Sequence, residues 1–421
     1  MKKVIVVGGG AAGLMAAASA AEHGTAVTLL EKMPAPGRKL LITGKGRCNV
    51  TNVADVKTII ENIPGNGTFL YSALNAFSNR DLMAWLEERG VPLKAERGGR
   101  VFPVSDQARD VVAAFVRALG ALGVAVVTGQ AVKAISLADG RVSGAVTADG
   151  REWPADAVIL AAGGASYPGT GSSGDGYRIA AALGHTVNPL RPSLVPLEVA
   201  EDWVTDLQGL ALKNVAVTAV AGGKTLGEEF GELLFTHFGL SGPVILSLSN
   251  PVAAALRRDP GDEVLIVINL KPALSAETLD KRLQRDFAKF ARKQFKNSLG
   301  DLLPASLTAV ITDLSHIDPD KPVHQVTKEE RARLAALLQN FTFTVTGTRP
   351  LAEAIVTAGG VRTKEINPAT MASRLIPGLY FAGEVIDVDG YTGGFNLQAA
   401  FSTGYVAGRA AAADNVENND R

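Results

Sequence analysis

The chain opens with Val4-Ile5-Val6-Val7-Gly8-Gly9-Gly10-Ala11-Ala12-Gly13, a β-branched run that leads into glycines and then into the Ala-rich stretch Leu14 to His23. A continuous apolar run predicts a buried parallel strand, and the Ala-rich stretch predicts a tightly packed helix. We expect Gly8 to permit the turn, Gly10 to let a pyrophosphate approach the backbone, and Gly13 to let helix and strand pack closely. The N–H groups and the positive dipole end of the helix would then face the phosphates.

The second predicted strand, Ala26 to Leu30, supports a dinucleotide site because an acidic residue follows it. Glu31 lies 23 positions after Gly8, where a carboxylate can accept hydrogen bonds from both hydroxyls of an adenosine ribose. For the first motif alone, a glycine turn in an α/β domain without a nucleotide is the alternative.

Glycine makes up 45 of the 421 residues and concentrates in a few further segments. The loop from Gly37 to Asn52 interleaves basic residues with Gly, Thr and Asn, which suits a loop that wraps anionic phosphates. The segments Asp156 to Tyr177 and Gly378 to Gln398 each combine a predicted buried strand with a glycine-rich turn. This placement favours close approach of the backbone to a ligand. Taken alone, the loop from Gly37 to Asn52 could instead be a solvated basic loop, and the segment from Gly378 to Gln398 could be an ordinary βα unit.

Together these segments resemble a known family, the BaiN-like (YhiN-type) FAD-dependent flavoproteins, also labelled the aminoacetone oxidase family. The motifs that carry the resemblance extend over nearly the whole chain: Gly8 to Gly13 with Glu31, Gly37 to Asn52, Gly99 to Pro103, Glu232 to Pro243, Gly359 to Val361 and Tyr380 to Gln398. The resemblance implies FAD as cofactor and an α/β fold. Its glutathione-reductase-like Rossmann FAD-binding domain would be discontinuous, with an inserted β-sheet or barrel subdomain and a small helical subdomain.

The resemblance also implies cofactor-binding roles for individual residues. The pyrophosphate would be held by Gly8, Gly10, Ala11, Ala12 and Gly13, the ribose by Glu31, and the adenosine edge by Lys32. The approach to the pyrophosphate, ribityl chain and isoalloxazine would be lined by Arg38, Lys39, Thr43, Gly44 and Asn49. The remaining contacts would be those of Val132 with adenine, Ala162 and Gly163 with the ribose, Gly383 and Glu384 with the ribityl chain, and Gly394, Asn396 and Leu397 with the flavin ring.

Because these segments lie at both ends of the chain, residues 1–190 and 347–421 are predicted to form one discontinuous FAD-binding domain. Short strand patterns predict an inserted β subdomain over 191–274. Helical spacing from Ser275 to about Leu302, and again from Lys328 to Gln339, predicts a helical subdomain over 275–346. The polar tail from Asp414 predicts disorder.

Composition narrows the class of protein. The 42 basic residues balance the 42 acidic ones, which excludes a uniformly basic protein that coats nucleic acid. Cys48 is the single cysteine, so an internal disulfide and a flavin disulfide-reductase mechanism are both excluded. Glycines interrupt the apolar N-terminus before it reaches a membrane-spanning length, and no His/Cys spacing indicates a metal. We therefore expect a cytoplasmic protein with no membrane partner and no metal.

Because the resemblance implies a bound flavin, we expect an oxidoreductase that moves a hydride between flavin N5 and a small organic substrate. No second strand-linked G-x-G-x-x-G is present, so NAD(P)H would act as a transient co-substrate docked on the flavin, or the substrate itself would be the reductant. No catalytic residue can be assigned. His237 and Tyr391 are candidates for proton transfer, and Arg362 and Lys364 for orienting an anionic substrate, each with a structural alternative.

Two other classes of function stay open. A flavoenzyme that reduces an RNA base is one, because a predicted helical insert carries seven positive charges against Glu277, Asp280 and Asp286: Lys281, Arg282, Arg285, Lys289, Arg292, Lys293 and Lys296. A solvated amphipathic face explains the same residues. A flavin-binding redox sensor without turnover is the other class.

Overall fold

The computed structural model describes residues 1–258 and 261–413, and the tail from Asp414 lies outside them. The chain divides into two compact units. The first comprises Met1–Ser193 and the chain from Leu351 onward, and the second is Leu194–Pro350. The strands and helices of the insert, treated as separate subdomains in the sequence, therefore belong to one unit.

The first unit is mixed α/β. Numbered along the chain, its strands are β1 (Lys3–Val7), β2 (Ala26–Glu31), β3 (Thr51–Asn52), β4 (Leu93–Ala95), β5 (Arg100–Pro103), β6 (Ala125–Thr128), β7 (Val132–Ala138), β8 (Arg141–Thr147), β9 (Glu152–Pro154), β10 (Ala157–Leu160), β11 (Val187–Ser193), β18 (Val356–Val361) and β19 (Leu379–Phe381). Its helices are α1 (Ala11–Glu22), α2 (Arg38–Ile42), α3 (Val56–Glu61), α4 (Tyr71–Ala76), α5 (Asn79–Glu88), α6 (Ala108–Ala121), α7 (Asp175–Ala182) and α12 (Phe395–Ala413).

A five-stranded parallel sheet organises this unit, in the order β19-β10-β1-β2-β6. The apolar run of β1 lies at its centre because Val4, Val6 and their neighbours are buried, as a strand covered on both faces requires. The ends of the chain meet in this sheet, since β10 pairs with both β1 and β19. The parallel strands bring the glycines after β1, β10 and β19 to one edge. The predicted Rossmann-type α/β fold of a discontinuous domain is confirmed.

The first and last helices of this unit pack through small residues. A Cβ on Gly404 would lie 2.3 Å from the carbonyl oxygen of Ala12, and one on Gly408 would lie 2.4 Å from that of Ala16. No side chain fits at such distances, so glycine lets the backbones of α1 and α12 approach each other. This contact joins the two distant parts of the sequence into one domain.

The second unit is a closed six-stranded barrel with helices. Its strands are β12 (Leu197–Val199), β13 (Ala211–Ala221), β14 (Lys224–Thr236), β15 (Gly239–Ser241), β16 (Val264–Asn269) and β17 (Phe341–Thr348), in the order β12-β15-β14-β13-β16-β17. Its helices are α8 (Pro243–Arg258), α9 (Ala276–Lys289), α10 (Ala305–Leu314) and α11 (Lys328–Gln339). Buried Phe235, Phe341 and Phe343 contact one another in its core. The predicted barrel and helical part are confirmed.

The predicted helix from Ser275 to about Leu302 is wrong at its C-terminal end. Ser275 does cap the helix, because its hydroxyl accepts from the Thr278 N–H, but the helix ends at Lys289. The N–H groups of Phe295 and Lys296 donate to the carbonyl oxygens of Lys321 and Pro319 instead of continuing the helix. Tertiary hydrogen bonds therefore override the helical spacing of the apolar residues.

Candidate cofactor site

The glycine turn after β1 has the geometry that the sequence predicts. Gly8 has a φ of +100°, and a Cβ on it would lie 2.5 Å from the Ala161 carbonyl oxygen. A Cβ on Gly13 would lie 1.8 Å from the Gly8 carbonyl oxygen, so helix and turn are in direct contact there. The position of a Gly10 Cβ faces open space, and no side chain caps α1, which begins with Ala11 and Ala12. The helix N-terminus thus offers backbone N–H groups to an anion.

Glu31 ties the end of β2 to this turn. Its Oε2 accepts from the Gly9 N–H at 2.6 Å and its Oε1 from the Met33 N–H at 2.7 Å. A carboxylate accepts about four hydrogen bonds, so acceptor capacity remains for ribose hydroxyls. The Gln130 N–H donates to the Glu31 carbonyl oxygen at 2.9 Å, which leads the chain past Glu31 to Val132, the buried first residue of β7. Glu31 and the approach to Val132 are therefore neighbours.

Two of the predicted basic residues form ion pairs within the unit. The Lys32 Nζ lies 2.6 Å from the Asp175 carboxylate, and the Lys39 Nζ lies 2.9 Å from the Glu384 carboxylate. Arg38, at the start of α2, is exposed. The lysine charges are thus met by acidic side chains, and the exposed Arg38 is the predicted cation that stays available to solvent.

The remaining predicted residues of the second loop shape its backbone. Gly44 has a φ of +58°, and a Cβ there would lie 3.1 Å from the Asn49 backbone nitrogen. The Thr43 hydroxyl donates to the Leu40 carbonyl oxygen at 2.7 Å, and the Asn49 Oδ1 accepts from the Val101 N–H at 3.2 Å. Their side chains hold the loop in its turn and against β5.

Cys48 in the same loop is fully buried, and burial raises the pKa of its thiol to about 12 although a hydrogen bond with Thr43 opposes the shift. Its φ of +61° places it in the left-handed region. A thiol with so high a pKa stays protonated at neutral pH and is a poor nucleophile. Cys48 is therefore a packed small residue of the loop.

Glu384 has several hydrogen-bond partners in the first unit. Its Oε1 accepts from the Thr357 N–H at 2.8 Å and lies 3.3 Å from the Ser166 hydroxyl. The Tyr177 hydroxyl donates to the Glu384 carbonyl oxygen at 2.9 Å, and burial raises the pKa of Tyr177 well above its ordinary value, so the phenol stays protonated. Four residues, Lys39, Ser166, Tyr177 and Thr357, thus converge on Glu384 from three separate segments of the first unit.

Gly383, next to Glu384, lies against the first helix. It has a φ of +75°, a Cβ on it would lie 2.7 Å from that of Ala12, and its N–H donates to the Thr403 hydroxyl at 3.0 Å. Gly163 has a φ of +72° and follows Ala162 at the end of β10. The predicted residues after β1, β10 and β19 are thus brought together at the carboxyl edge of the sheet, where open α/β sheets bind ligands.

The C-terminal glycine turn is held by Asn396. Its side-chain amide accepts from the Gly390 N–H at 2.8 Å and donates to the carbonyl oxygens of Gly390 and Tyr391 at 2.7 and 3.2 Å. Gly394 has a φ of +100°, and a Cβ on it would lie 2.3 Å from the Thr51 carbonyl oxygen. The Asn396 side chain thus stabilises the turn, and Leu397, half-buried in the first turn of α12, follows it.

Sequence reasoning missed a buried polar network that joins this turn to the second loop. The Thr51 hydroxyl donates to Gln398 Oε1 at 2.6 Å, the Gln398 amide donates to Ser402 at 2.9 Å, and Ser402 donates to the Phe77 carbonyl oxygen at 2.7 Å. Asn52 donates to the Gly393 carbonyl oxygen at 3.0 Å. The available signal was the polar pair Gln398 and Ser402, four positions apart on either side of the apolar stretch Ala399 to Phe401.

The candidates for proton transfer and substrate orientation are dispersed. His237 is exposed in the turn between β14 and β15 of the second unit, whereas Tyr391 is half-buried in the C-terminal glycine turn of the first. Arg362 and Lys364 are exposed after β18. The geometry within each unit brings none of these side chains together, so it assigns no catalytic residue.

The basic stretch of the second unit is largely neutralised. Lys281, Arg282, Lys289 and Lys296 pair with Glu277, Asp286, Asp301 and Asp320, respectively. The Arg285 Nε lies 3.8 Å from Asp286, which also pairs with Arg282, and the Arg285 side chain is 71% exposed. Lys293 lies over the Phe290 ring. Among the described residues, Arg285, Arg292 and Lys293 are therefore the cations of this stretch that have no acidic partner of their own.

Comparison with known proteins identifies the family. The model of the HI0933-like protein Rossmann domain family matches residues 2–410. The chain belongs to this family. It is 35% identical over 388 residues to a 3-dehydro-bile acid delta(4,6)-reductase of Clostridium scindens, with 92% of each chain covered. It is 34% identical over 392 residues to the ribosomal RNA dihydrouridine synthase of Escherichia coli, again with 92% of each covered. The predicted family is confirmed, and the chain is an FAD-dependent oxidoreductase.

Solved structures agree on the fold. A 3-ketosteroid-delta4-(5alpha)-dehydrogenase from Rhodococcus jostii superposes with a TM-score of 0.54 at 18% identity, covering 98% of this chain and 97% of that one. A 3-ketosteroid delta1-dehydrogenase from Sterolibacterium denitrificans gives the same TM-score at 14% identity, with 99% and 100% covered. Among the described residues, no helix is both long and apolar enough to cross a membrane.

Proposed function

We propose that this protein is an FAD-dependent reductase of a carbon–carbon double bond conjugated with a carbonyl group. The observation that carries the proposal is the shared chemistry of the two relatives. The name of the bile acid reductase says that it reduces a delta(4,6) double-bond system in a substrate with a 3-keto group. The name of the dihydrouridine synthase says that its product is a uridine whose ring double bond, beside a carbonyl, is saturated. Flavin-dependent reduction of such a double bond adds a hydride to the carbon farther from the carbonyl group and a proton to the nearer carbon.

The cofactor residues fit FAD on structural grounds. The open space at Gly10, the uncapped N-terminus of α1 and the left-handed Gly8 leave the backbone N–H groups of Ala11 and Ala12 for a pyrophosphate. Glu31 retains acceptor capacity beside this turn for the ribose, and Glu384 does so at the end of β19 for the ribityl chain. When bound, FAD supplies a hydride at N5. We propose that the other residues of the predicted set line the same cofactor.

A small organic substrate is the leading proposal for the acceptor. Its test is a matched panel: a cyclic enone, the isolated alkene of the same skeleton, and the saturated ketone. Only the enone should be turned over, because the carbonyl is needed to take up the charge that develops when hydride adds. Turnover of the isolated alkene at a similar rate would contradict the proposal.

NAD(P)H is the proposed electron donor. The test is anaerobic mixing of the FAD-loaded protein with NADH or NADPH while flavin absorbance is followed, with dithionite as the positive control. Loss of the oxidised flavin band with one nicotinamide supports direct docking. Reduction by dithionite and by neither nicotinamide would refute this donor.

A ribosomal RNA substrate is the second candidate, and the exposed cations Arg285, Arg292 and Lys293 favour it together with the relatives. The variant R285Q/R292Q/K293Q should lose salt-sensitive binding to ribosomal RNA. The matched control K281Q/K289Q/K296Q removes three cations that acidic side chains already neutralise, so it should weaken binding less. Equal losses in both variants, or no retention at low salt, would contradict an RNA role for this surface.

A further inference from the structure

The Lys39–Glu384 ion pair lies at the carboxyl edge of the sheet, beside the proposed cofactor. The Lys39 Nζ is 2.9 Å from Glu384 Oε2, and the two side chains are only 24% and 19% exposed. The Ser166 hydroxyl accepts from the same Nζ at 2.8 Å, so two partners fix the ammonium group. Lys39 is therefore directed at Glu384 by its surroundings.

Glu384 in turn is held beside Lys39 by further contacts. Its Oε1 is held by the Thr357 N–H at 2.8 Å, and its carbonyl oxygen by the Tyr177 hydroxyl at 2.9 Å. A Cβ on Gly164 would lie 2.7 Å from Oε1, which means that the Gly164 backbone closes one side of the carboxylate. The carboxylate is thus fixed by neutral donors, and Lys39 is the cation that the structure places against it.

A fixed carboxylate is unfavourable beside an anionic cofactor. The pyrophosphate of FAD is negatively charged, and a half-buried carboxylate without a cation would both repel it and carry its own desolvation cost. If Lys39 turned to the phosphates, Glu384 would be left in that condition. The family resemblance places Lys39 among the residues that line the approach to the pyrophosphate, ribityl chain and isoalloxazine. A direct phosphate contact by Lys39 and neutralisation of Glu384 make different predictions.

The geometry points to Lys39 as a positioning residue that neutralises Glu384, so that a carboxylate can serve the cofactor site without repelling FAD. This inference rests on FAD as the cofactor and not on the identity of the substrate. Lys39 then contributes to FAD binding through Glu384, and its contribution disappears when residue 384 carries no charge.

A double-mutant cycle on FAD affinity tests the inference. The dissociation constant of FAD is measured, without substrate, for the wild type, K39M, E384Q and K39M/E384Q. We expect K39M to weaken binding roughly tenfold when Glu384 is present and less than about twofold in the E384Q background. A direct phosphate contact by Lys39 would give the same loss in both backgrounds, and that result would overturn the inference.

A matched ion pair serves as control. Arg89 and Glu22 lie 3.0 Å apart with exposures of 26% and 28%, and Glu22 is at the far end of α1 from the glycine turn. R89M and R89M/E22Q should leave FAD affinity unchanged. A loss like that of K39M would show that any half-buried ion pair gives the effect, and would also overturn the inference.

K39Q provides a second variant in case K39M does not fold. It also removes the cation, so it should weaken FAD binding roughly tenfold when Glu384 is present and less than about twofold in the E384Q background. An equal loss in both backgrounds would contradict the inference. Because no substrate is present, failure of the proposed reductase activity does not alter any of these outcomes.

Discussion

The glycines of the first turn have separate roles that single substitutions can distinguish. Gly13 lacks space for a Cβ, which would lie 1.8 Å from the Gly8 carbonyl oxygen, whereas Gly10 faces open space. We expect G13A to lower the free energy of unfolding by about 2 kcal/mol and to weaken FAD binding. G10A should leave the FAD-free protein as stable as the wild type and weaken FAD binding alone.

The control for these substitutions is G120A. Gly120 lies in α6, has ordinary helical backbone and no atom close to a Cβ, so alanine should be neutral or slightly stabilising there. Urea unfolding of the FAD-free proteins and FAD titration measure the two effects. If G10A lowered the free energy of unfolding as much as G13A does, the result would contradict the expectation that the open space at Gly10 accepts a Cβ.

His185 predicts a pH dependence of stability. Its ring is buried, with Nε2 2.9 Å from the Ser373 hydroxyl and Nδ1 3.3 Å from the Glu365 carboxylate. Burial lowers the pKa of His185 below its ordinary value, although Glu365 opposes the shift. The unfolded chain therefore binds more protons, so stability should fall as the pH drops below about 6.5.

The measurement is the thermal midpoint from about pH 7.5 to about pH 5.5. Over this range the wild type should lose more than H185Q, in which residue 185 no longer titrates. Glu365 does not confuse the comparison, because its pKa is lowered and it titrates below this window. Parallel pH profiles for the two proteins would disprove the role assigned to His185.

At the scale of the elements, the contact of α1 with α12 leaves no room for a side chain. A Cβ on Gly404 would lie 2.3 Å from the Ala12 carbonyl oxygen, so the helices can accept a side chain there only by separating. We expect G404V to destabilise the first unit by about 3 kcal/mol, at the upper end of overpacking costs. Unfolding followed by a probe in the first unit should show this, and a cost below about 0.5 kcal/mol would contradict such close packing.

Some elements could be predicted from the sequence and others could not, for identifiable physical reasons. The strand–turn–helix at Gly8 to Gly13 is determined by local residues, and it was predicted correctly. The end of α9 at Lys289 was missed because Phe295 and Lys296 bond to residues of another segment. Lys39 and Glu384 are 345 positions apart, so no local pattern indicates that they meet.

At the scale of the whole molecule, we propose that the cofactor links distant parts of the first unit. Its proposed ligands come from the chain before residue 164 and after residue 382, so FAD should stabilise the folded unit by mass action. At a free FAD concentration about 100 times the dissociation constant, the expected gain is about 2.7 kcal/mol. The thermal midpoint should rise with FAD and not with an equal concentration of riboflavin, which lacks the pyrophosphate and adenosine. An equal rise with riboflavin would contradict the proposed glycine-turn contacts.

Anaerobic reoxidation decides whether the protein reduces a double bond conjugated with a carbonyl. The FAD-loaded protein is first reduced with one equivalent of dithionite, and a cyclic enone or its saturated ketone is then added without oxygen. We predict that the enone restores the oxidised flavin spectrum and yields a product two hydrogens heavier, while the saturated ketone leaves the flavin reduced. Flavin that stays reduced with every enone and with uridine-containing ribosomal RNA, yet is reoxidised by dioxygen, would contradict the claim.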